Sequence, residues 1–252
     1  MKDQYIGDKT DYVKYSFLRH ILAAGLHLSI NWMWTPNDGS SDGNGNGYLQ
    51  YPRRWRHYDA AVFDVLTAAV HTGNRTLAFV ERSGILDPAT LLSRPCPAEP
   101  NSRQCLFDDF VSQLDCNTVA FLDPDNGLEV ASCAYGRRGS EKYLYWHELL
   151  RIWPVSGSIV ICQHFPRVKR DRFLRQLGRE IESRLSESTV WALSAPRAAF
   201  LLAVRNAHEN QMVSALTAMA DVWRDEIQAL GLLSANESRL GTKLQTEFPY
   251  TL

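Results

Sequence analysis

Apolar positions along this chain change rhythm several times, and each change predicts an element. Through residues 11–24, Val13, Phe17, Leu18, Ile21 and Leu22 recur at helical spacing, with Asp8 or Thr10 placed to cap the first turn and Gly25 to end the last. Residues 28–34 form a short apolar run that predicts a strand. A long loop of Gly, Asn, Asp and Ser follows over residues 35–47. A second helix is predicted over residues 58–71, stopped at Gly73, and a second strand over residues 76–80, ending at Glu81. Residues 88–100 read as loop with one turn of helix, residues 102–114 as helix and residues 118–122 as a third, wholly buried strand. Residues 141–153 are predicted helical with Ser140 as cap, residues 158–162 a short buried strand, and residues 167–185 a strongly charged helix. Residues 190–193 and 200–204 predict two further strands joined through Ala195-Pro196-Arg197, residues 208–230 a long amphipathic helix, and the last twenty or so residues an irregular end.

Strands alternating with helices predict an α/β fold: a three-layer, Rossmann-like arrangement with a mostly parallel sheet and a C-terminal antiparallel strand pair. No linker interrupts the pattern, so a single domain over residues 1–252 is expected. An apolar share of 45% supports a sizeable core. A net charge of -1 gives no global field toward nucleic acid or anionic membrane, so RNA or DNA binding requires a local patch. Five cysteines without CxxC spacing argue against a zinc site or a disulfide framework. A polar start with no signal peptide or spanning segment completes the expectation of a cytoplasmic protein without membrane attachment.

Polar clusters stand at the predicted strand ends. The strand over residues 118–122 runs into Asp123-Pro124-Asp125-Asn126-Gly127-Leu128-Glu129, and carboxylates this close repel unless a cation, a proton or a donor network holds them. His164, after the strand over residues 158–162, is placed to act as general base or metal ligand beside Gln163. Asp8, Asp11 and Lys14 open the first helix; Asp11 and Lys14 share a face, the lysine suited to a phosphate and the aspartates to a cofactor or substrate group. Asp38 and Gly39 lie in the glycine-rich loop, whose amides can approach a phosphate, although no Walker pattern is present. Glu81 at a strand end can accept ribose hydroxyls. Ser140 and Lys142 at a helix start favour an anion. Arg167, Lys169, Arg170, Arg172, Arg175 and Arg179 make a local basic patch.

The strings around Gly7-Asp8, Asp11-Tyr12 and Lys14-Tyr15, with Phe121-Leu122-Asp123-Pro124-Asp125-Asn126-Gly127-Leu128-Glu129, Lys142-Tyr143 and Gln163-His164-Phe165-Pro166-Arg167, resemble the motifs of a bacterial protein family over nearly the whole chain. More distantly, the order of parts resembles Rossmann-type ribosomal RNA adenine-N6 methyltransferases and the three-Cys-motif partner proteins. That resemblance implies S-adenosylmethionine (SAM) as cofactor, Lys14 before the first strand, Glu81 ending the second and Asp123-Pro124 ending the fourth. This chain departs from the pattern in its looser loop and in lacking the aromatic residue that would stack on a flipped base.

Three functions follow. The first is a SAM-dependent methyltransferase acting on RNA or DNA, with Asp123 at the target amine, Glu81 at the ribose, the loop over residues 35–43 at the amino-acid end, and Lys14, Asp38 and Gly39 lining the cofactor. The second is a Mg²⁺- or Mn²⁺-dependent nuclease or phosphoesterase. Asp123, Asp125 and Asp38 would hold metal, His164 would activate water, and Lys142 or Arg167 would stabilise phosphate. The third is a non-catalytic nucleotide-binding or partner module. Asp8, Asp11, Asn126, Gln163 and Arg167 are the expected substrate contacts.

Overall fold

The computed structural model describes residues 1–39 and 43–233. In chain order the helices are α1 (Lys9–Ala23), α2 (Pro52–Trp55), α3 (Ala60–His71), α4 (Leu77–Arg82), α5 (Pro100–Val111), α6 (Trp146–Ile152), α7 (Arg170–Arg184) and α8 (Glu209–Trp223). The strands are β1 (His27–Asn31), β2 (Thr90–Leu92), β3 (Thr118–Leu122), β4 (Gly127–Leu128), β5 (Tyr143–Leu144), β6 (Ser158–His164), β7 (Thr189–Ser194), β8 (Ala198–Val204) and β9 (Gln228–Leu233). Seven of them form one sheet in the order β2-β1-β3-β6-β8-β7-β9, and β4 and β5 pair separately. The β2-β1-β3-β6 block is parallel. β8 runs against β6, β7 against β8 and β9 against β7, so β7 points the same way as the parallel block.

Side chains alternate across the sheet as the period of two requires. Val119, Phe121, Val160, Phe200 and Leu202 face one core with Tyr12 and Phe17 of α1, Phe63 and Leu66 of α3, and Met212 and Met219 of α8. Ala120, Leu122, Ile159, Ile161 and Leu201 face the other with Phe107 and Phe110 of α5, Leu149 of α6, and Leu174 and Ile181 of α7. The molecule is therefore α/β with helices on both faces of a mostly parallel sheet. Among the described residues no helix is long and apolar enough to cross a membrane.

Several expected elements differ. Residues 76–80 are not a strand: the Thr76 hydroxyl accepts the Phe79 amide and starts α4, which buries Leu77 and Val80 three apart and exposes Ala78. The second parallel strand is the three-residue β2, where a loop is expected. The expected helix from residue 141 begins only at Trp146, because residues 140–142 form a 3₁₀ turn and residues 143–144 become β5. The helix expected to reach residue 230 stops at Trp223, and β9 follows. The irregular end from residue 234 lies outside the described residues.

Candidate active site

The parallel strands deliver Asn31, Leu122 and His164 to one edge of the sheet. Ala198 pairs with His164, so Arg197, one residue outside the ladder, sits at that same edge. α1 borders it, started by the Asp8 carboxylate, which accepts the Asp11 amide at 2.8 Å. The resulting cleft, about 550 Å³, is lined by Asp8, Asp11, Lys14, Asp123, Pro124, Asp125, Asn126, Cys162, His164 and Arg197, together with Met1, Tyr5, Thr10, Gly43, Asn44 and Gly45. Ligand sites at the carboxyl edge of an open α/β sheet have this position and size.

Lys14 anchors the cleft. Its buried ammonium lies 2.6 Å from Asp11 Oδ1 and 2.7 Å from Asp123 Oδ2. Burial alone would lower its pKa, but the two carboxylates more than offset that and hold it well above the ordinary lysine value. Asp123 is buried too, and Lys14 with the Met1 amino group overcomes burial to keep its pKa below the usual carboxylate value. Asp11 shows the opposite balance. Burial, aided by Asp8 and Asp123, pushes its pKa up to about 7 despite Lys14. Burial also raises Asp8. His164 is half-buried, and burial lowers its pKa against the pull of Asp123, which favours the neutral imidazole. Cys162 is buried, and its thiol is raised well above the usual value by burial and by Asp123, so it is no nucleophile.

Asp125 is held by other cations. Its Oδ1 lies 2.7 Å from the Met1 α-amino group, and its Oδ2 accepts the Thr35 hydroxyl at 2.6 Å and lies 3.7 Å from Lys2 Nζ. The Met1 amino group also donates to the Asp123 carbonyl at 2.8 Å, and Lys2 donates to Asp38 at 2.5 Å. The mutual repulsion expected of Asp123 and Asp125 is thus relieved by protein ammonium groups. A divalent cation would have to displace them, so this donor set does not fit the metal-holding role expected for Asp123, Asp125 and Asp38. Among the described residues no group of three or more His, Cys, Asp or Glu is arranged to hold a metal ion.

Other expected site residues lie elsewhere. Glu81, on α4, accepts the Trp32 indole N–H at 2.9 Å and the Ser93 hydroxyl, outside the cleft lining. Gln163 is a loop staple: its Oε1 accepts the Leu128 amide at 2.9 Å and its Nε2 donates to the Asn126 and His164 carbonyls. Its amide presses where a Cβ on Gly127 would stand, 2.3 Å away, and Gly127 has φ 108°, so only glycine suits this turn. Glu129 accepts the Trp146 amide at the start of α6 instead of joining Asp123 and Asp125. Lys142 lies in the 3₁₀ turn, 4.0 Å from Asp38, and Asp38 and Gly39 are exposed outside the lining. Arg167 is exposed beyond the cleft. Sequence reading missed Cys162 and Arg197 as site residues. For Arg197 the only available signal was its place in the turn between two strands. No protein-family model matches the chain, and no match is found among curated proteins.

Proposed function

We propose that the protein is a nucleic-acid-modifying enzyme of SAM-dependent methyltransferase type, built on a methyltransferase-like Rossmann sheet. The observation that carries this reading is the meeting, in one cleft at the carboxyl edge, of His164 with the Asp123–Asn126 turn. Methylation of an amine needs a proton acceptor and an aligned nucleophile, and little else from the protein. His164 takes the proton from the target nitrogen, and the Asn126 side chain offers a donor and an acceptor to the edge of a base. SAM, when bound, supplies the electrophilic methyl group.

The cleft's donor set fits the amino-acid end of SAM. Asp11 Oδ2 is buried with no hydrogen-bond partner, and with Asp8 it suits an ammonium group. Arg197 suits the carboxylate. Glu81 is not placed to hold the ribose.

The test is calorimetric titration with SAM, followed by transfer of labelled methyl from SAM to RNA and DNA. Saturable binding is expected, weakened about tenfold or more by Asp11→Asn, as for loss of a charge-assisted hydrogen bond. Glu81→Ala should leave affinity unchanged. Absence of binding at millimolar SAM would end this reading. Binding without transfer would make the chain a cofactor-binding module.

A further inference from the structure

The rim of the cleft carries a second pattern. From Gly45 in the cleft wall the chain passes through a 3₁₀ turn at Gly47–Gln50 into α2; Tyr51 just before it, Arg53 and Arg54 within it and His57 just after it are exposed. Tyr51 is 63% exposed, the highest value among the exposed large hydrophobic side chains. Its neighbours behave otherwise: Trp55 packs on Tyr48, and Tyr58 stacks on Trp223. The backbone at Tyr51 is nevertheless hydrogen-bonded into the turn. Its amide donates to the Tyr48 carbonyl, and its own carbonyl accepts the Arg54 and Trp55 amides.

On the other side, the chain leaves β6 at His164 and enters α7, whose Arg172, Arg175 and Arg179 are exposed at spacings of three and four, on one helix face. The segment that leads to α2 and the start of α7 are joined through Arg197. Arg197 Nη1 lies 3.6 Å from where a Cβ on Gly45 would stand, and Arg170 donates to the Pro196 carbonyl, tying the start of α7 to the turn that carries Arg197. Among the described residues, none of Arg53, Arg54, Arg172, Arg175, Arg179 and Arg197 forms an ion pair.

We infer that single-stranded nucleic acid crosses the cleft mouth, with phosphates on the α7 arginines and one base stacked on the Tyr51 ring, flanked by Arg53 and Arg54. The inference deepens the nucleic-acid reading above and rests on it. Arginines without ion-pair partners beside an exposed aromatic ring are the combination that holds a strand without reading its sequence. A duplex hides the faces of its bases, so Tyr51 favours a single strand. An acidic peptide would satisfy the arginines but leave the ring without a stacking partner.

Fluorescence anisotropy on the full chain tests this, using labelled oligo-uridine and oligo-thymidine of about 16 nucleotides and duplexes of the same length. Single strands should bind at least about tenfold more tightly than duplexes, and Tyr51→Ala should weaken them about tenfold while Tyr51→Phe does not. Arg172→Gln with Arg175→Gln should weaken binding and reduce the slope of log affinity against log salt by about 1.4. All these positions are exposed, and melting curves verify that each variant is folded. Equal binding by wild type, Tyr51→Ala and the arginine variants would overturn the track and leave the nucleic-acid reading standing. Equal affinity for duplex, or equally effective competition by poly-glutamate, would also overturn it. Strand binding with these losses but no methyl transfer from SAM would sustain the track and remove the methyltransferase reading.

Discussion

Lys14 is the residue on which the cleft depends. Two carboxylates are buried beside its ammonium, and removing it leaves Asp11 and Asp123 without that cation. Breaking a buried pair from one side is far worse than replacing both partners. Lys14→Ala should therefore lower unfolding free energy by about 3–5 kcal/mol in urea titrations. Adding Asp123→Asn should recover part of the loss, and a double variant no more stable than the single one would contradict this account. Asp11 carries a pH signature of its own. Its pKa rises from an ordinary 3.8 to about 7 on folding, so the folded state retains a proton that the unfolded state releases. Its contribution is most favourable below about pH 4 and is lost as pH rises through 7, by no more than about 4 kcal/mol at roughly 1.4 kcal/mol per unit. Asp11→Asn, which stays neutral, should gain stability relative to wild type between pH 5 and pH 8. A constant difference across that range would rule out the raised pKa. The Asp11–Lys14 contact was legible from a spacing of three on one helix. The Lys14–Asp123 contact spans 109 residues of chain and had no such signal.

Elements were legible where a long period or a pure apolar run declared them, as in α1, β3 and β6. They were obscured where short segments were settled by caps and neighbours. The stretch Leu77-Ala78-Phe79-Val80 fits strand or helix by composition, and the Thr76 cap decides for helix. β2 is three residues long between Pro88 and Pro95, too short for alternation to show. The excursion from β3 to α6 depends on a residue that the motifs did not single out. Arg103 of α5 is fully buried, pairs with Glu148 at 2.6 Å, and donates to the carbonyls of Ser140 and Tyr143. It thereby fixes the segment whose Lys142 carbonyl accepts the Asn126 amide at the cleft. Arg103→Met should cost about 3–5 kcal/mol by stranding Glu148, while Arg103→Met with Glu148→Met should regain most of it. Hydrogen exchange gives the local readout. The amides of Asn126 and Glu129, bonded to Lys142 and Leu144, should exchange faster in Arg103→Met, whereas those of β6 should follow the global change alone. Unchanged protection at Asn126 would detach Arg103 from the site.

Across the whole molecule, sequence reading located the edge but not its electrical balance. Asp8, Asp11, Lys14, Asp123, Asp125, Asn126 and His164 line one cleft because parallel strands end together and α1 borders them. What could not be read, for the most part, was which charges neutralise which, since Met1 and Lys2 reach Asp125, and Lys14 reaches Asp123, only through tertiary packing. That balance sets two opposite responses to pH. His164 has its pKa lowered below 6.5 by burial, so the unfolded chain takes up a proton more readily, and its contribution to stability is lost as pH falls through 6.5. Asp11 acts in the other direction, losing its contribution as pH rises toward 7 and beyond. For the proposed chemistry the neutral imidazole is the active form. Methyl transfer should therefore be near its plateau at pH 7 and fall on an acid limb below pH 6.5. His164→Gln should lower the rate by about 10²–10⁴ and flatten that limb, while Asp11→Asn should weaken SAM affinity and leave the limb in place. An imidazole titration by NMR fixes the assignment independently of turnover. If His164 titrates at or above 6.5, or if the limb persists in His164→Gln, the proton acceptor in this cleft is some other group.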